Sequence, residues 1–397
     1  MRIATTAAPT AAGLARHRAA VAAAFAVQGL LFISLTTRLP RFQDRWDLSE
    51  LFVSGLLLMV VLLAGAGSAL AELAATRRGS ATTLRVGFVL QALGLAAVAG
   101  APQRGVFVGG LALYGLGLGV VDAASNMQAV AVEHRYGRTI LPSFHGAWTA
   151  GGIVATVVTI AVTQVGLLAG LLPLCAVALI LLAAPLLPAS ADPPVTTAPG
   201  LDVPWRKILL LGAAMVLFYM VDTAATTWGP VFLKSVHDAP DWLLPLATLP
   251  YLVASLATRL AGDAAVARVG AVSLLRGGAV VACGALAVIV FSPSWWVAVL
   301  GFTILGGSVA VIAPLSFSAA AVVAGGGLDP EARRARVDAV IARFNQFNYV
   351  GGLLGAVLTG VVGSQSLRPG FAVPMVLILA ILPLAGAFRT EPATRQT

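Results

Sequence analysis

Charge is the scarcest property of this chain. Only 10% of its 397 residues are Asp, Glu, Lys or Arg, against about 25% in a soluble globular protein, which excludes a water-soluble enzyme of this length. Lysine is nearly missing. Of 25 basic residues only Lys207 and Lys234 are lysines, and with the abundant alanine this reads as GC-rich bacterial coding rather than as function. Histidine is rare and scattered (His17, His134, His145, His237), so no metal or nucleophile constellation forms and an intramembrane enzyme is excluded. The two cysteines, Cys175 and Cys283, fall inside apolar runs and read as buried small hydrophobes, implying neither a disulfide nor a metal site. No nucleotide-binding motif marks a primary pump, and no charged rings or repeated filter loops mark a channel. No cofactor is expected.

What is present is apolar surface: 59% hydrophobic residues at a mean hydropathy of +0.93. A disordered chain is excluded on the same numbers. One bilayer crossing takes roughly 20 apolar residues. Such runs lie at 19–38, 51–71, 84–101, 105–131, 207–228, 242–260, 271–292, 295–323, 339–362 and 369–388. The stretch 143–187 has 45 positions without a charge; as one helix it would reach about 68 Å, twice the hydrocarbon thickness. It is read as two spans turning near Gln164–Gly166, which makes twelve.

The net charge of +9 invites a nucleic-acid reading, but a binder of nucleic acid gathers its basic residues into one patch. Here they sit in short clusters between apolar runs. With both termini cytoplasmic, 19 Lys and Arg fall inside and six outside, as the positive-inside rule demands. The first run is long enough to span, and keeping it holds the count even, so a cleaved signal peptide is rejected. The Pro-rich segment 188–206 reads as a cytoplasmic linker. It separates an N-terminal bundle at 19–187 from a C-terminal one at 207–388, with cytoplasmic tails at 1–18 and 389–397. The expected fold class is an all-α membrane protein of two pseudo-symmetric six-helix bundles.

An internal repeat supports the division. Glu72, Arg77, Gly79 and Arg85 recur as Asp263, Arg268, Gly270 and Arg276, each pair 191 residues apart. Phe144 with Gly151-Gly152 recurs 200 residues later as Phe344 with Gly351-Gly352, the extra nine residues fitting an insertion at Gly325–Arg334. A duplicated six-helix unit implies a central cavity between the halves.

The repeat and its basic turns resemble the major facilitator superfamily across nearly the whole chain. The superfamily's loop pattern is Gly-x3-Asp-Arg-x-Gly-Arg-Arg. The first copy keeps Arg77 and Gly79 with Thr76 at the Asp position; the second keeps Arg268 and Gly270 with Ala267 there. Glu72 and Asp263 occupy the opening Gly position. A closer resemblance is to the fucose-permease-like branch and its uncharacterised bacterial members. It is carried by Arg38-Leu39-Pro40, by Gly115-x-Gly117-x-Gly119-x2-Asp122-x3-Asn126, and by Glu133 followed by Ser143-Phe144-His145.

On the fourth span Gly115, Gly119, Asp122, Asn126 and Glu133 fall on one helical line. A carboxyl isolated at the depth of Asp122 costs about 2.5–3.5 kcal/mol on insertion scales, which favours a neutral form or a partner. It reads either as a proton-coupling or substrate-contacting group, or as a structural hydrogen-bond partner of Asn126 or a neighbouring helix. The resemblance implies the coupling role for Asp122. On the seventh span Met215, Tyr219, Asp222 and Thr226 share a face, with Asp222 either a cavity carboxylate or half of a buried pair with Arg38. Branch members show acidic-x4-Asp-Trp here; this chain has Asp222 and Trp228 with Thr227 before the tryptophan. The branch's acid in the first span is replaced: Gln28 is the only large polar residue there before Ser34.

His145, at the cytoplasmic entry of the fifth span, is either a relay to Asp122 or a helix-start contact. Asn345 and Asn348, with Trp148 or Trp228, suit a hydroxylated ligand, or else anchor at the interface as Trp205, Trp242, Trp295 and Trp296 do. Arg77, Arg85, Arg268 and Arg276 are topology determinants first, and pair across the cytoplasmic gate with Glu72, Asp263 or helix ends second. Pro245, Pro250 and Pro314 mark expected bends. The expected function is secondary transport of a small organic solute, sugar-like or another metabolite, coupled to protons and working as a monomer in a bacterial plasma membrane. The alternative is proton-driven export of a hydrophobic drug or secondary metabolite.

Overall fold

The computed structural model describes residues 11–136, 140–188, 204–325, 340, 344 and 346–389. Most of the linker, residues 1–10 and 390–397 of the tails, and Asn345 therefore lie outside the described residues, as do the side chains of Glu72 and Asp263. The described residues form helices joined by short turns. Ten of the helical segments are long and apolar enough to cross a bilayer. Shorter apolar helices, Leu167–Ala183 and Gln346–Val362, stand where the sixth and eleventh spans are expected. Helix is what a chain so poor in charge must form in lipid, since no water there satisfies free backbone groups. Leu260, Phe291 and Ile180 accordingly stay exposed.

In order the helices are α1 (Ala11–Thr36), α2 (Leu39–Trp46), α3 (Glu50–Arg78), α4 (Ser80–Gly100), α5 (Arg104–Tyr136), α6 (Leu141–Ala161) and α7 (Leu167–Ile180). They continue as α8 (Trp205–Thr223), α9 (Gly229–His237), α10 (Leu249–Val269), α11 (Ala271–Val290), α12 (Trp295–Val309), α13 (Ile312–Gly325), α14 (Gln346–Val362) and α15 (Leu367–Leu377). Helices α8 and α9 are one run joined by a π turn, Ala224–Trp228, so the seventh span reaches His237 rather than ending at Trp228. Pro230 has no N–H for the Thr226 carbonyl and crowds it, which favours the widened turn. Pro314 acts the same way on Ala310, and α12 gives way to α13 there. The other two prolines correct the expectation of bends. Pro245 sits in a 3₁₀ turn, Leu244–Ala247, and Pro250 in the first turn of α10, where a missing N–H costs no helical bond.

The repeat is written into the backbone. Left-handed φ occurs at four described residues: Asp47 (48°), Asp238 (49°), Gly79 (78°) and Gly270 (76°). They form two pairs, each 191 residues apart. The aspartates close α2 and α9 as left-handed caps, a conformation Asp tolerates better than most side chains. Gly79 and Gly270 turn the chain between α3 and α4 and between α10 and α11, where a side chain would be strained.

The described residues cluster in two compact units, one within Met1–Phe32, Leu62–Val154 and Val165–Pro193, the other within Ile33–Val61, Ala155–Gln164 and Pro194–Thr397. In the first, α4 packs on α5 and α7, and the chain after α7 is clamped at three points. Arg85 donates from Nε to the Leu182 carbonyl (2.9 Å) and from Nη2 to that of Ala184 (3.2 Å). The Gln128 amide brackets Leu187, accepting from its N–H at 2.9 Å and donating to its carbonyl at 3.0 Å. His17 Nδ1 meets the Pro185 carbonyl at 2.6 Å.

In the second unit Arg276, the repeat partner of Arg85, donates from Nε to the Leu382 carbonyl at 3.1 Å. Leu182 and Leu382 are themselves 200 residues apart, so each guanidinium caps the last helix of its own half. Charged hydrogen bonds contribute about 1.5–3 kcal/mol each. Arg85→Ala is therefore expected to lower the unfolding temperature in detergent by several degrees, and Arg77→Ala, at an exposed site, to leave it unchanged. Equal effects would refute the capping role.

The second unit also takes in residues 33–61 and 155–164. There α2 packs on α9, and Lys234 pairs with Asp44 and, at 3.7 Å, with Asp241.

Candidate functional site

The first deep carboxyl, Asp122, is held on α5 by glycine. A Cβ at Gly119 would lie 1.8 Å from the Ala64 carbonyl of α3, and one at Gly117 would lie 2.7 Å from Gln91 N of α4. Their absence lets α5 close against two neighbours. On the same helix Asp122 and Asn126 are half-buried. Asn126 Nδ2 donates to the Asp122 carbonyl at 3.0 Å and approaches its carboxylate at 3.5 Å. The local hydrogen bond expected between the two is thus formed. It leaves the carboxyl one weak amide contact from Asn126, and Asp122 has further partners. Glu133, on the same line, has other work: its carboxylate accepts the Ile140 N–H at 2.7 Å, tying down the entry to α6.

Around α1 the close approach repeats. A Cβ on Gly29 would meet the Trp148 carbonyl at 2.1 Å, and one on Gly151 the Ala26 carbonyl at 1.9 Å. Gln28 is buried there. Phe32 faces Trp148 at 6.2 Å between ring centroids, and His145 meets Phe25 edge-on at 5.3 Å. The structure thus gives His145 an aromatic neighbour on α1 and brings Trp148 beside Phe32.

The second carboxyl, Asp222, is also half-buried, on α8 two residues before the π segment. Its Oδ1 accepts the Tyr251 hydroxyl of α10 at 2.7 Å. Thr226 donates from Oγ1 to the Asp222 carbonyl at 2.7 Å, so its hydroxyl is used within its own helix. Tyr219 stands one turn earlier, half-buried, its ring 4.9 Å from Phe218. The alternative pairing of Asp222 with Arg38 is not formed. Arg38 is buried and donates from Nη1 to the Ser34 carbonyl (2.9 Å) and to Thr159 Oγ1 (2.7 Å).

Trp228 is fully buried and donates from Nε1 to the Ala356 carbonyl at 2.8 Å. A Cβ on Gly360 would meet its ring at 2.3 Å, so the indole is packed as a helix anchor in this structure. Asn348 is half-buried on α14, and Arg77 and Arg268 are exposed. Tyr251 escaped the sequence reading. It is an ordinary aromatic in an apolar span, and only the approach of α10 to α8 gives it a carboxylate. No group of three or more His, Cys, Asp or Glu that could hold a metal occurs among the described residues.

No family model matches the chain. An uncharacterised transporter of Sinorhizobium fredii is 27% identical over 321 residues, covering 76% of this chain and 81% of that one. An uncharacterised MFS-type transporter of Yersinia pestis is 26% identical over 283 residues, 70% and 71% of the two chains. Among solved structures, the nucleoside transporter NupG superposes with a TM-score of 0.69 at 16% identity, covering 94% of this chain and 98% of that one. A bacterial homologue of the lysosomal transporter Spinster gives 0.69 at 14%, covering 97% and 100%. The Escherichia coli fucose:proton symporter FucP gives 0.62 at 15%, covering 94% and 98%. The likeness to NupG and the Spinster homologue is at least as strong as that to FucP, so the fucose-permease-like branch is not singled out. What the comparisons and the helices establish together is a multi-pass membrane protein that shares the fold of these solved transporters.

Proposed function

We propose that this chain is a proton-coupled secondary transporter of a small polar organic solute, working by alternating access in a bacterial plasma membrane. The observation that carries the reading is a pair of half-buried carboxyls, Asp122 and Asp222, one on each side of the central linker, in a major facilitator fold. A buried carboxyl that is neutral in one state and ionised in another can carry one proton per cycle. Two of the similar solved proteins, by name a nucleoside transporter and a fucose:proton symporter, support a hydroxylated solute.

In this reading twelve spans form two six-helix halves, at 19–187 and 207–388, that rock about a midplane site, with both termini cytoplasmic and the monomer as the working unit. Gln28, Arg38, Asn126, Tyr219, Thr226, Asn345 and Asn348 serve the solute. His145 relays protons, and Glu72, Arg77, Asp263 and Arg268 govern the cytoplasmic gate.

The test is uptake into proteoliposomes with an imposed pH gradient, offering a panel of nucleosides, hexoses and other polyols. At least one panel member is expected to accumulate above its external concentration only while the gradient lasts. Equal uptake with and without the gradient refutes coupling, and failure of the whole panel refutes a hydroxylated solute.

A further inference from the structure

Asp222 has a built environment that the reading above leaves unused. Its Oδ1 takes a 2.7 Å hydrogen bond from Tyr251, a residue 29 positions away on another helix. The Tyr251 side chain is fully buried, and its backbone is pinned where α12 crosses: a Cβ on Gly306 would lie 2.1 Å from the Tyr251 carbonyl. The phenol is therefore held in one place. Arg259 follows on the same helix, eight residues and about 12 Å further along.

Among the described residues, other ionisable groups on the helices around Asp222 are few. Of the helices packed against α8, α12 and α13 carry no titratable residue, α14 carries Tyr349 and α15 carries Arg368. Beyond Arg259, α10 adds Asp263 and Arg268 near its far end, and α8 itself holds Arg206, Lys207 and Tyr219. Asp222 is thus the only carboxyl on α8 and on these four neighbours. The π turn that begins two residues after it is the kind of backbone irregularity that recurs at functional sites.

We propose that Tyr251 is the positioning residue of the proton site at Asp222, its hydroxyl donating to the ionised carboxylate and so setting the pH at which Asp222 takes up its proton. The inference rests on the coupling reading and adds to it a partner and a direction. Tyr251 stands at the end of α10 that begins the span and Arg259 toward the other end. A proton leaving Asp222 thus leaves a carboxylate held by the Tyr251 hydroxyl. No bond to solute is needed for this role. The phenol keeps its own proton throughout, and the only proton that moves is the one on the Asp222 carboxyl.

The experiment needs no solute. The protonated carboxyl of Asp222 is followed by infrared difference titration of purified protein in lipid, its C=O band assigned as the one missing from Asp222→Asn. In Tyr251→Phe, the band is expected to shift in frequency and its titration midpoint to move about one pH unit toward alkaline pH. The direction follows because an ionised carboxylate loses a donor, and one unit is a tenfold change in proton affinity. Should the phenylalanine variant fail to fold, 3,5-difluorotyrosine at position 251 preserves the packing and makes the hydroxyl a stronger donor, and the midpoint should then move toward acid pH. An Asp222 band that titrates identically whatever stands at position 251 overturns the role of Tyr251 and leaves the coupling reading intact. An Asp222 carboxyl that does not titrate between pH 4 and pH 10 overturns both.

Discussion

Replacing Gly119 by leucine is expected to abolish the folded protein, the largest effect of any single change considered. The clash is side chain against backbone: the first carbon of any side chain there would sit 1.8 Å from the Ala64 carbonyl oxygen, about half a normal contact distance. Neither partner is a flexible chain end, so α3 and α5 must separate along their whole crossing. Overpacking in a compliant core costs about 1–3 kcal/mol, and forcing two backbones apart costs more, against a total stability of about 5–15 kcal/mol. Gly306→Leu should fail in the same way, because its Cβ meets the Tyr251 carbonyl at 2.1 Å. The control lies on the same helix as Gly119. Around Gly105 and Gly109 nothing lies within 4 Å of an added Cβ, and leucine there should be tolerated. The readouts are the yield of monodisperse protein in detergent and the unfolding temperature. A Gly119→Leu protein as abundant and as stable as Gly109→Leu would show that α3 and α5 do not pack this closely.

The second large effect is functional. Asp122→Asn is expected to lower gradient-driven accumulation at least tenfold while leaving solute exchange across proteoliposomes without a gradient close to the parent rate. The substitution keeps shape and keeps a partner for the Asn126 amide, which already bonds the Asp122 backbone at 3.0 Å. It removes only the ability to ionise. A loss of both accumulation and exchange would make Asp122 a solute-binding or structural group, and unchanged accumulation would remove it from coupling altogether. Asp122→Glu restores the titrating group on a longer stem and should recover part of the accumulation, separating charge from geometry.

Several features of the fold were open to reading from residue order. The apolar runs, the basic clusters between them and the 191-residue repeat all follow from properties that each residue carries alone. The bilayer adds a fixed length to compare them with. The matched glycines also share a backbone conformation: Gly79 and Gly270 both have a left-handed φ, which glycine adopts without strain. Helix ends were less legible. Pro250 looked like a bend and proved to be a helix start, because the same missing N–H either breaks a bond or removes an orphan donor, depending on which residue begins the helix. The seventh span ran nine residues past Trp228, since Val231, Phe232 and Leu233 are buried there and Lys234 and His237 find polar partners in Asp44 and Ser292.

The candidate site divides along the same line. Sequence alone picked out Asp122 and Asp222 as the acids at depth and placed Asn126 one turn from the first, because helical periodicity fixes neighbours three and four residues apart. It could not choose the partner of Asp222. Arg38 was electrically attractive, yet the structure pairs Arg38 with Thr159, 121 residues away, and Asp222 with Tyr251. Nor did it reveal that Arg85 and Arg276, read as topology markers, also cap the closing helices of their halves. Hydropathy, length and charge bias act residue by residue against a uniform solvent, so the chain's order determines class, spans and topology. A hydrogen bond depends on which two helices touch and at what rotation, and that is settled by interdigitating glycines and side chains across the whole packed unit.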